Sequence, residues 1–162
     1  MAEVLVLGAG VSGHTAALHL RRLLGRQHTV TVVSPNANWN WIPSNIWVGV
    51  GDMGKKDVVF PLAPIYARKG IEFRQAKAVA IRPSGDDEEA KGAVDIEYTE
   101  PSRAGQSERL RYDYLINATG PKLRFEATEG MGPDGFTASV CTADHAVEAN
   151  EKLRETIAKL KA

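Results

Sequence analysis

Three glycines near the start of the chain have the spacing of a phosphate-binding loop. Gly8, Gly10 and Gly13 follow the apolar run Glu3–Leu7 and open a stretch with apolar residues at helical spacing. In a strand–turn–helix, the first glycine permits the tight turn, the second lets the backbone approach a pyrophosphate, and the third allows close packing. Unpaired N–H groups at the helix N-terminus favour anions. We therefore predict that the phosphates are bound by Gly8, Gly10, Val11, Ser12 and Gly13.

An acidic residue that normally completes a dinucleotide site is missing. The β-branched run Thr29–Val33 is followed by Ser34, Pro35 and Asn36, where an aspartate or glutamate would bind the ribose hydroxyls. Ser34 or Asn36 could form the ribose hydrogen bond instead. Both are also common turn residues beside a proline, and the sequence leaves the two interpretations open.

The single cysteine and a nearby histidine are candidate catalytic residues. Cys141 precedes a predicted helix capped by Thr142, and the positive end of a helix favours the reactive thiolate. His145 follows by about one helical turn and could move protons in the same pocket. The alternatives are a buried apolar cysteine and a polar first-turn histidine. One cysteine and four scattered histidines lack metal-ligand spacing, so we predict no metal site.

Hydrophobic periodicity predicts an α/β fold around these residues. Glu3–Leu7, the following helix and Thr29–Val33 form a βαβ unit with parallel strands. The segment Ser34–Lys56 is predicted to be an ordered loop without a helix, because Pro, Gly and Asn interrupt it. The remaining predicted elements are a helix at Leu62–Lys69, a strand at Ile71–Arg74, meander strands at Lys77–Ile81, Val94–Tyr98 and Arg109–Arg111, a strand at Tyr114–Ala118 and an amphipathic helix at Thr142–Leu160.

Length and charge limit the possible functions. A chain of 162 residues predicts one domain, with a dinucleotide fold at about 1–75 and 112–162 and a β-meander at about 76–111. The 20 basic and 20 acidic side chains cancel, which argues against a nucleic-acid partner. No signal peptide or transmembrane run is recognisable, so we expect a protein that is cytoplasmic or peripheral to the membrane.

The segment Tyr112–Pro121 narrows the choice of dinucleotide. Its sequence, Tyr-Asp-Tyr-Leu-Ile-Asn-Ala-Thr-Gly-Pro, resembles the strand that closes the FAD domain in pyridine-nucleotide- and quinone-linked flavoproteins. That resemblance implies a Rossmann-like FAD-binding domain with a small antiparallel β-meander. It also implies that Ala118, Thr119 and Gly120 lie against the flavin nucleotide and that Ala78 lies near the adenine.

Three further segments resemble those of sulfide:quinone oxidoreductases. They are Ile42–Gly51, Ala118–Leu123 and Val140–His145. The resemblance implies that Cys141 is the first of the cysteines that hold sulfur at the flavin. It also implies that Pro43 lies in a loop passing the flavin ring.

In that family the chain continues into a second, NAD-like domain and a C-terminal region that binds quinone and membrane. The resemblance therefore leads us to expect an N-terminal FAD-binding part of an enzyme acting on sulfide and quinone, inactive by itself and peripheral to the membrane only through the missing region. An apolar helix stripe predicts possible homo-oligomers: Ala146, Ala149, Leu153 and Ile157. The alternatives are part of an NADH:quinone-type or other FAD-dependent pyridine nucleotide oxidoreductase, or a non-catalytic dinucleotide-binding module, including one that binds NAD without flavin.

Overall fold

The computed structural model describes residues 1–161, and Ala162, the last residue of the predicted domain range, lies outside them. The strands of this part of the chain are β1 Glu3–Leu7, β2 Thr29–Ser34, β3 Asn38–Asn40, β4 Val59–Pro61, β5 Glu72–Arg82, β6 Ala93–Tyr98, β7 Ser107–Arg111 and β8 Tyr114–Asn117. The α-helices are α1 Val11–Leu23, α2 Asn45–Val50, α3 Lys55–Val58, α4 Ala63–Lys69 and α5 Ala143–Lys161. The predicted α/β class and the opening βαβ unit are confirmed.

A six-stranded sheet in the order β7-β6-β5-β2-β1-β8 organises the fold. Strand β1 pairs in parallel with both β2 and β8, and β2 pairs in parallel with β5. Strands β5, β6 and β7 are antiparallel and form the predicted meander. Because β1, β2 and β8 are parallel, their carboxyl ends lie at the same edge of the sheet, where ligands of α/β proteins bind.

The predicted break between a third parallel strand and the meander is wrong. Residues Glu72–Arg82 form one continuous strand, β5, whose first part pairs with β2 and whose second part pairs with β6. Gln75 and Ala76 are not turn-forming residues, so nothing in the chain interrupts the ladder there. The antiparallel pairing of β5 with β6 has a register shift between Ala78 and Ala80. The dinucleotide sheet and the meander therefore share a strand.

The prediction that Ser34–Lys56 contains no helix is also wrong. A 3₁₀ turn at Ile42–Ser44 leads into α2, and α3 begins at Lys55. Helix α2 ends at Gly51, whose φ of 91° permits its N–H to reach the carbonyls of Trp47 and Val48. A helix this short depends on packing for its stability, and periodicity cannot reveal it.

The chain forms two compact units. Among the described residues, the first unit comprises 1–39 and 61–120, and the second comprises 40–60 and 121–161. In the first unit, alternate residues of β1 enter two apolar clusters, Val4 and Val6 in one and Leu5 and Leu7 in the other. The second unit has its own buried cluster: Val48, Val58, Ala143 and Ala146.

No helix among residues 1–161 combines the length and apolar character needed to cross a bilayer.

Candidate functional site

The glycine loop has the geometry that its spacing predicts. Gly8 has a φ of 92°, and a Cβ there would lie 2.3 Å from the Ala118 carbonyl oxygen. A Cβ on Gly13 would lie 1.9 Å from the Gly8 carbonyl oxygen. By contrast, a Cβ on Gly10 would meet no atom within 4 Å. Gly8 and Gly13 are thus required by close backbone packing, whereas Gly10 faces open space that suits a pyrophosphate.

The N-terminus of α1 is available to an anion. Gly10 is its N-cap residue, no side chain caps the first turn, and that turn contains no acidic residue. Val11 and Ser12 are exposed there. First-turn N–H groups have no partner within a helix, and the helix dipole adds positive potential at this end. The predicted phosphate-binding residues therefore fit the pyrophosphate of a dinucleotide.

The turn after β8 lies beside the glycine loop. The Ala118 N–H donates to the Leu7 carbonyl at 2.8 Å, and the Gly8 N–H donates to the Val33 carbonyl at 2.8 Å. The structure thus brings Gly8, Gly13 and Ala118 together at the carboxyl ends of the parallel strands. The glycine loop and the Ala118–Gly120 turn, which are far apart in the sequence, therefore lie at the same edge of the sheet.

Asn117 is a residue that motif reasoning missed. Its Oδ1 accepts hydrogen bonds from the Thr119 N–H at 3.3 Å and the Thr119 hydroxyl at 2.9 Å. These bonds form an Asx-type turn, which fixes Thr119, and Gly120 follows with a φ of 71°. The spacing Asn-x-Thr before a glycine was a signal that could have indicated this turn.

The predicted ribose residues form a local turn after β2. Ser34 is buried, and its hydroxyl accepts a hydrogen bond from the Asn36 N–H at 3.3 Å. Asn36 itself is exposed. This turn contact agrees with the turn-forming interpretation and leaves the Asn36 side chain accessible. The ribose contact stays a prediction, as does the adenine contact of Ala78, which is half-buried in β5.

His14 is buried in an aromatic cluster. Its Nδ1 lies 3.0 Å from the Tyr66 hydroxyl. Its ring centroid is 5.4 Å from that of Trp39 and 5.5 Å from that of Tyr66. Burial lowers the pKa of His14 and raises the pKa of Tyr66 to about 12. The backbone N–H of His14 donates to the Gly10 carbonyl at 2.9 Å. Because the His14 ring contacts Tyr66 of α4, the cluster anchors the first turn of α1 to α4.

The buried His14 predicts a loss of stability in weak acid. Its pKa is lowered in the folded chain, whereas an unfolded histidine titrates near ~6.5, so the unfolded chain binds more protons as pH falls. The free energy of unfolding should therefore be fully retained above about pH 6.5 and should decrease as pH falls through the folded pKa. Urea denaturation over this range should show a weaker pH dependence in His14→Gln. The exposed His19→Gln on the same helix is the control, and equal pH dependence in His14→Gln and wild type would contradict the prediction.

The candidate cysteine stands at the beginning of α5. Cys141 is exposed, and its N–H donates to the Ser139 hydroxyl at 3.2 Å. The Thr142 hydroxyl accepts a hydrogen bond from the His145 N–H at 3.2 Å, so the predicted cap is confirmed. The thiol is therefore accessible beside the positive end of a capped helix.

His145 is half-buried in the second unit. Its ring lies 6.4 Å from the Phe125 ring in an edge-on arrangement. Its Nδ1 is buried and has no hydrogen-bond partner among residues 1–161, and no hydrogen bond in that range joins it to the Cys141 side chain. A buried ring nitrogen without a partner can accept a proton or a ligand. The proposed sharing of a pocket with Cys141 stays a prediction.

The predicted site residues fall in both compact units. Pro43 lies exposed in the 3₁₀ turn before α2, in the same unit as Cys141 and His145. The other predicted cofactor residues belong to the first unit: Gly8, Gly10, Val11, Ser12, Gly13, Ser34, Asn36, Ala78, Ala118, Thr119 and Gly120. Within residues 1–161, no three His, Cys, Asp or Glu side chains form a group that could hold a metal ion.

Comparisons with known proteins agree on one family. The family model described as pyridine nucleotide-disulphide oxidoreductase matches residues 2–159. A sulfide-quinone reductase from Aquifex aeolicus is 34% identical over 156 residues, which cover 96% of this chain and 32% of that protein. A mitochondrial sulfide:quinone oxidoreductase from Mus musculus is 28% identical over 152 residues, covering 93% of this chain and 30% of that protein.

A solved structure agrees with these relatives. The crystal structure of the Aquifex aeolicus sulfide:quinone oxidoreductase superposes with a TM-score of 0.80 at 33% identity, covering 98% of this chain and 33% of that one. The chain therefore spans about a third of the length of these relatives. The predicted resemblance to sulfide:quinone oxidoreductases is confirmed, and the family implies a flavin-type cofactor. With a family match over nearly its whole length, the chain belongs to the pyridine nucleotide-disulphide oxidoreductases.

Proposed function

We propose that this chain is the FAD-binding part of an enzyme that oxidises sulfide and passes the electrons to quinone. The observation that carries the proposal is the meeting of the glycine loop with the turn after β8, beside the uncapped N-terminus of α1. The names of the relatives from Aquifex aeolicus and Mus musculus support sulfide and quinone as the substrates of the whole protein.

The proposed FAD contacts divide according to the parts of the cofactor. The glycine loop, with Val11 and Ser12, binds the pyrophosphate through backbone N–H groups. Ser34 or Asn36 bonds the ribose, and Ala78 lies by the adenine. The flavin end of the cofactor lies by Ala118, Thr119 and Gly120 of the first unit. Pro43, in the second unit, is proposed as a flavin contact from the family resemblance alone. When bound, FAD supplies a two-electron acceptor.

Cys141 and His145 carry the proposed chemistry on sulfur. The exposed Cys141 sulfur, next to the N-terminus of α5, bonds the sulfur of sulfide, and bound FAD would supply the acceptor for the two electrons that this oxidation releases. His145 takes up the proton that sulfide loses, and its Nδ1, which has no hydrogen-bond partner among residues 1–161, is the atom that accepts it. In the proposed complete enzyme the membrane contact is peripheral, and the exposed Leu153 and Ile157 of α5 are covered by another part of the protein or a second copy.

An equilibrium titration tests the cofactor assignment. Nucleotide-free protein is titrated with FAD and, separately, with NAD⁺, and heat release and flavin fluorescence are followed. We expect FAD to bind and NAD⁺ to bind more weakly or not at all. Tight binding of NAD⁺ without binding of FAD would instead indicate a non-flavin dinucleotide module. If FAD binds but sulfide chemistry does not depend on Cys141, an NADH:quinone-type parent is favoured.

A further inference from the structure

A pair of side-chain amides in the second unit connects two of the segments that resemble sulfide:quinone oxidoreductases. Asn45, the first residue of α2, is fully buried. Its Nδ2 donates to the Val140 carbonyl at 3.0 Å and to the Asn40 Oδ1 at 3.0 Å. Asn40 in turn donates from Nδ2 to the Asn45 Oδ1 at 2.8 Å and to the Val58 carbonyl at 3.2 Å. The Asn40–Asn45 amide pair therefore satisfies its own polar atoms and holds one distant carbonyl.

The bond to Val140 is not a local turn contact. It joins residues 95 positions apart, and the residue it holds is immediately before Cys141. Burying an amide is unfavourable unless its hydrogen bonds are made, and a bond between fixed partners restrains direction as well as distance. The amide pair thus restrains the backbone next to the thiol.

Close packing reinforces this restraint. Gly49 lies one turn after Asn45 on α2, and a Cβ there would be 2.9 Å from the Val140 Cγ1. On the other side of Cys141, Thr142 caps α5. The backbone is therefore held on both sides of a residue whose own side chain is exposed.

We propose that Asn45 is a positioning residue that sets the location of the Cys141 thiol through the Val140 carbonyl. This role rests on the proposed function and adds a positioning residue to it. A thiol that accepts sulfur must be held in place in order to react. Without the Asn45 donor, the segment before α5 is freed and the thiol samples several environments.

Two isosteric substitutions separate positioning from stability. In Asn45→Asp the side chain has no N–H group to donate to the Val140 carbonyl or to Asn40 Oδ1. Its carboxylate can still accept the hydrogen bond from the Asn40 amide. In Asn40→Asp the side chain has no N–H group to donate to Asn45 Oδ1 or to the Val58 carbonyl. The hydrogen bond from Asn45 to the Val140 carbonyl is kept. Each places one carboxylate in the same amide pair, so both should lower the melting temperature. The chain has one cysteine, so a trifluoromethyl tag on Cys141 reports a single site by fluorine NMR.

We expect one narrow fluorine resonance in wild type and in Asn40→Asp, and a shifted or split resonance in Asn45→Asp. The rate of alkylation of the untagged Cys141 should change several-fold only in Asn45→Asp. Wild-type spectra and rates in folded Asn45→Asp, or equal changes in both variants, would overturn the proposal. Neither readout requires FAD or sulfide, so a failure of the proposed function would not be mistaken for a failure of the positioning role.

A second pair of variants keeps the test decisive if Asn45→Asp does not fold. Gly49→Ala preserves the amide pair but displaces Val140, and it should also shift the tag resonance. Gly54→Ala is the control, because a Cβ there would come no closer than 3.4 Å to a neighbouring atom. An unchanged resonance in Gly49→Ala would contradict the proposal.

Discussion

Replacing Gly13 with alanine should destabilise the chain by about 3 kcal/mol and abolish FAD binding. The added Cβ would lie 1.9 Å from the Gly8 carbonyl oxygen, so the turn and α1 must move apart. Urea denaturation without cofactor measures the loss of unfolding free energy. A titration with FAD measures the loss of binding.

Gly10→Ala is the matched variant in the same loop. Its Cβ would meet no protein atom within 4 Å, and its φ of −69° suits alanine, so the free energy of unfolding should change by less than about 1 kcal/mol. The same Cβ would occupy the space assigned to the pyrophosphate, so the Kd for FAD should rise at least ~10-fold, which corresponds to about 1.4 kcal/mol. Unchanged FAD affinity in Gly10→Ala would contradict the placement of the phosphates.

Sulfide should not drive continuous quinone reduction by the FAD-loaded 162-residue chain. Passing sulfur from one cysteine to another requires a second thiol, and Cys141 is the only cysteine in this sequence. The steady-state rate should equal that of a control with free FAD and no protein. Steady turnover that Cys141→Ala abolishes would show that one thiol is sufficient.

The sequence predicted those parts of the molecule whose signals are local. Strand β1, helix α1 and strand β2 follow from an apolar run, a glycine turn and helical spacing over adjacent residues. The strand and turn at Tyr114–Gly120 were also predictable, because their motif lies within a few adjacent residues. Thr142 was recognisable as a cap because capping depends on residues within one turn of the helix.

The features that were missed depend on contacts between distant residues. The His14 ring contacts the hydroxyl of Tyr66, which is 52 residues away in the sequence, and Asn45 donates to the carbonyl of Val140, which is 95 residues away. Helix α2 is too short to have a clear periodicity, and Val48 is buried only because other parts of the second unit cover it. No pattern in a single sequence contains these partners, whereas Gly51 after α2 is a local signal for the end of a helix.

The most direct test of the account is the addition of sulfide to the FAD-loaded chain without oxygen. In the proposed reaction the Cys141 thiolate bonds the sulfur of hydrosulfide, which releases two electrons and one proton. His145 takes up the proton, and bound FAD would supply the acceptor for the two electrons. Flavin absorption and the mass of the Cys141 peptide are followed together. We predict that the oxidised-flavin band disappears as Cys141 gains one sulfur atom, and that Cys141→Ser, with FAD bound, keeps the band. An equal loss of the band in Cys141→Ser, or no loss in wild type, would contradict the account.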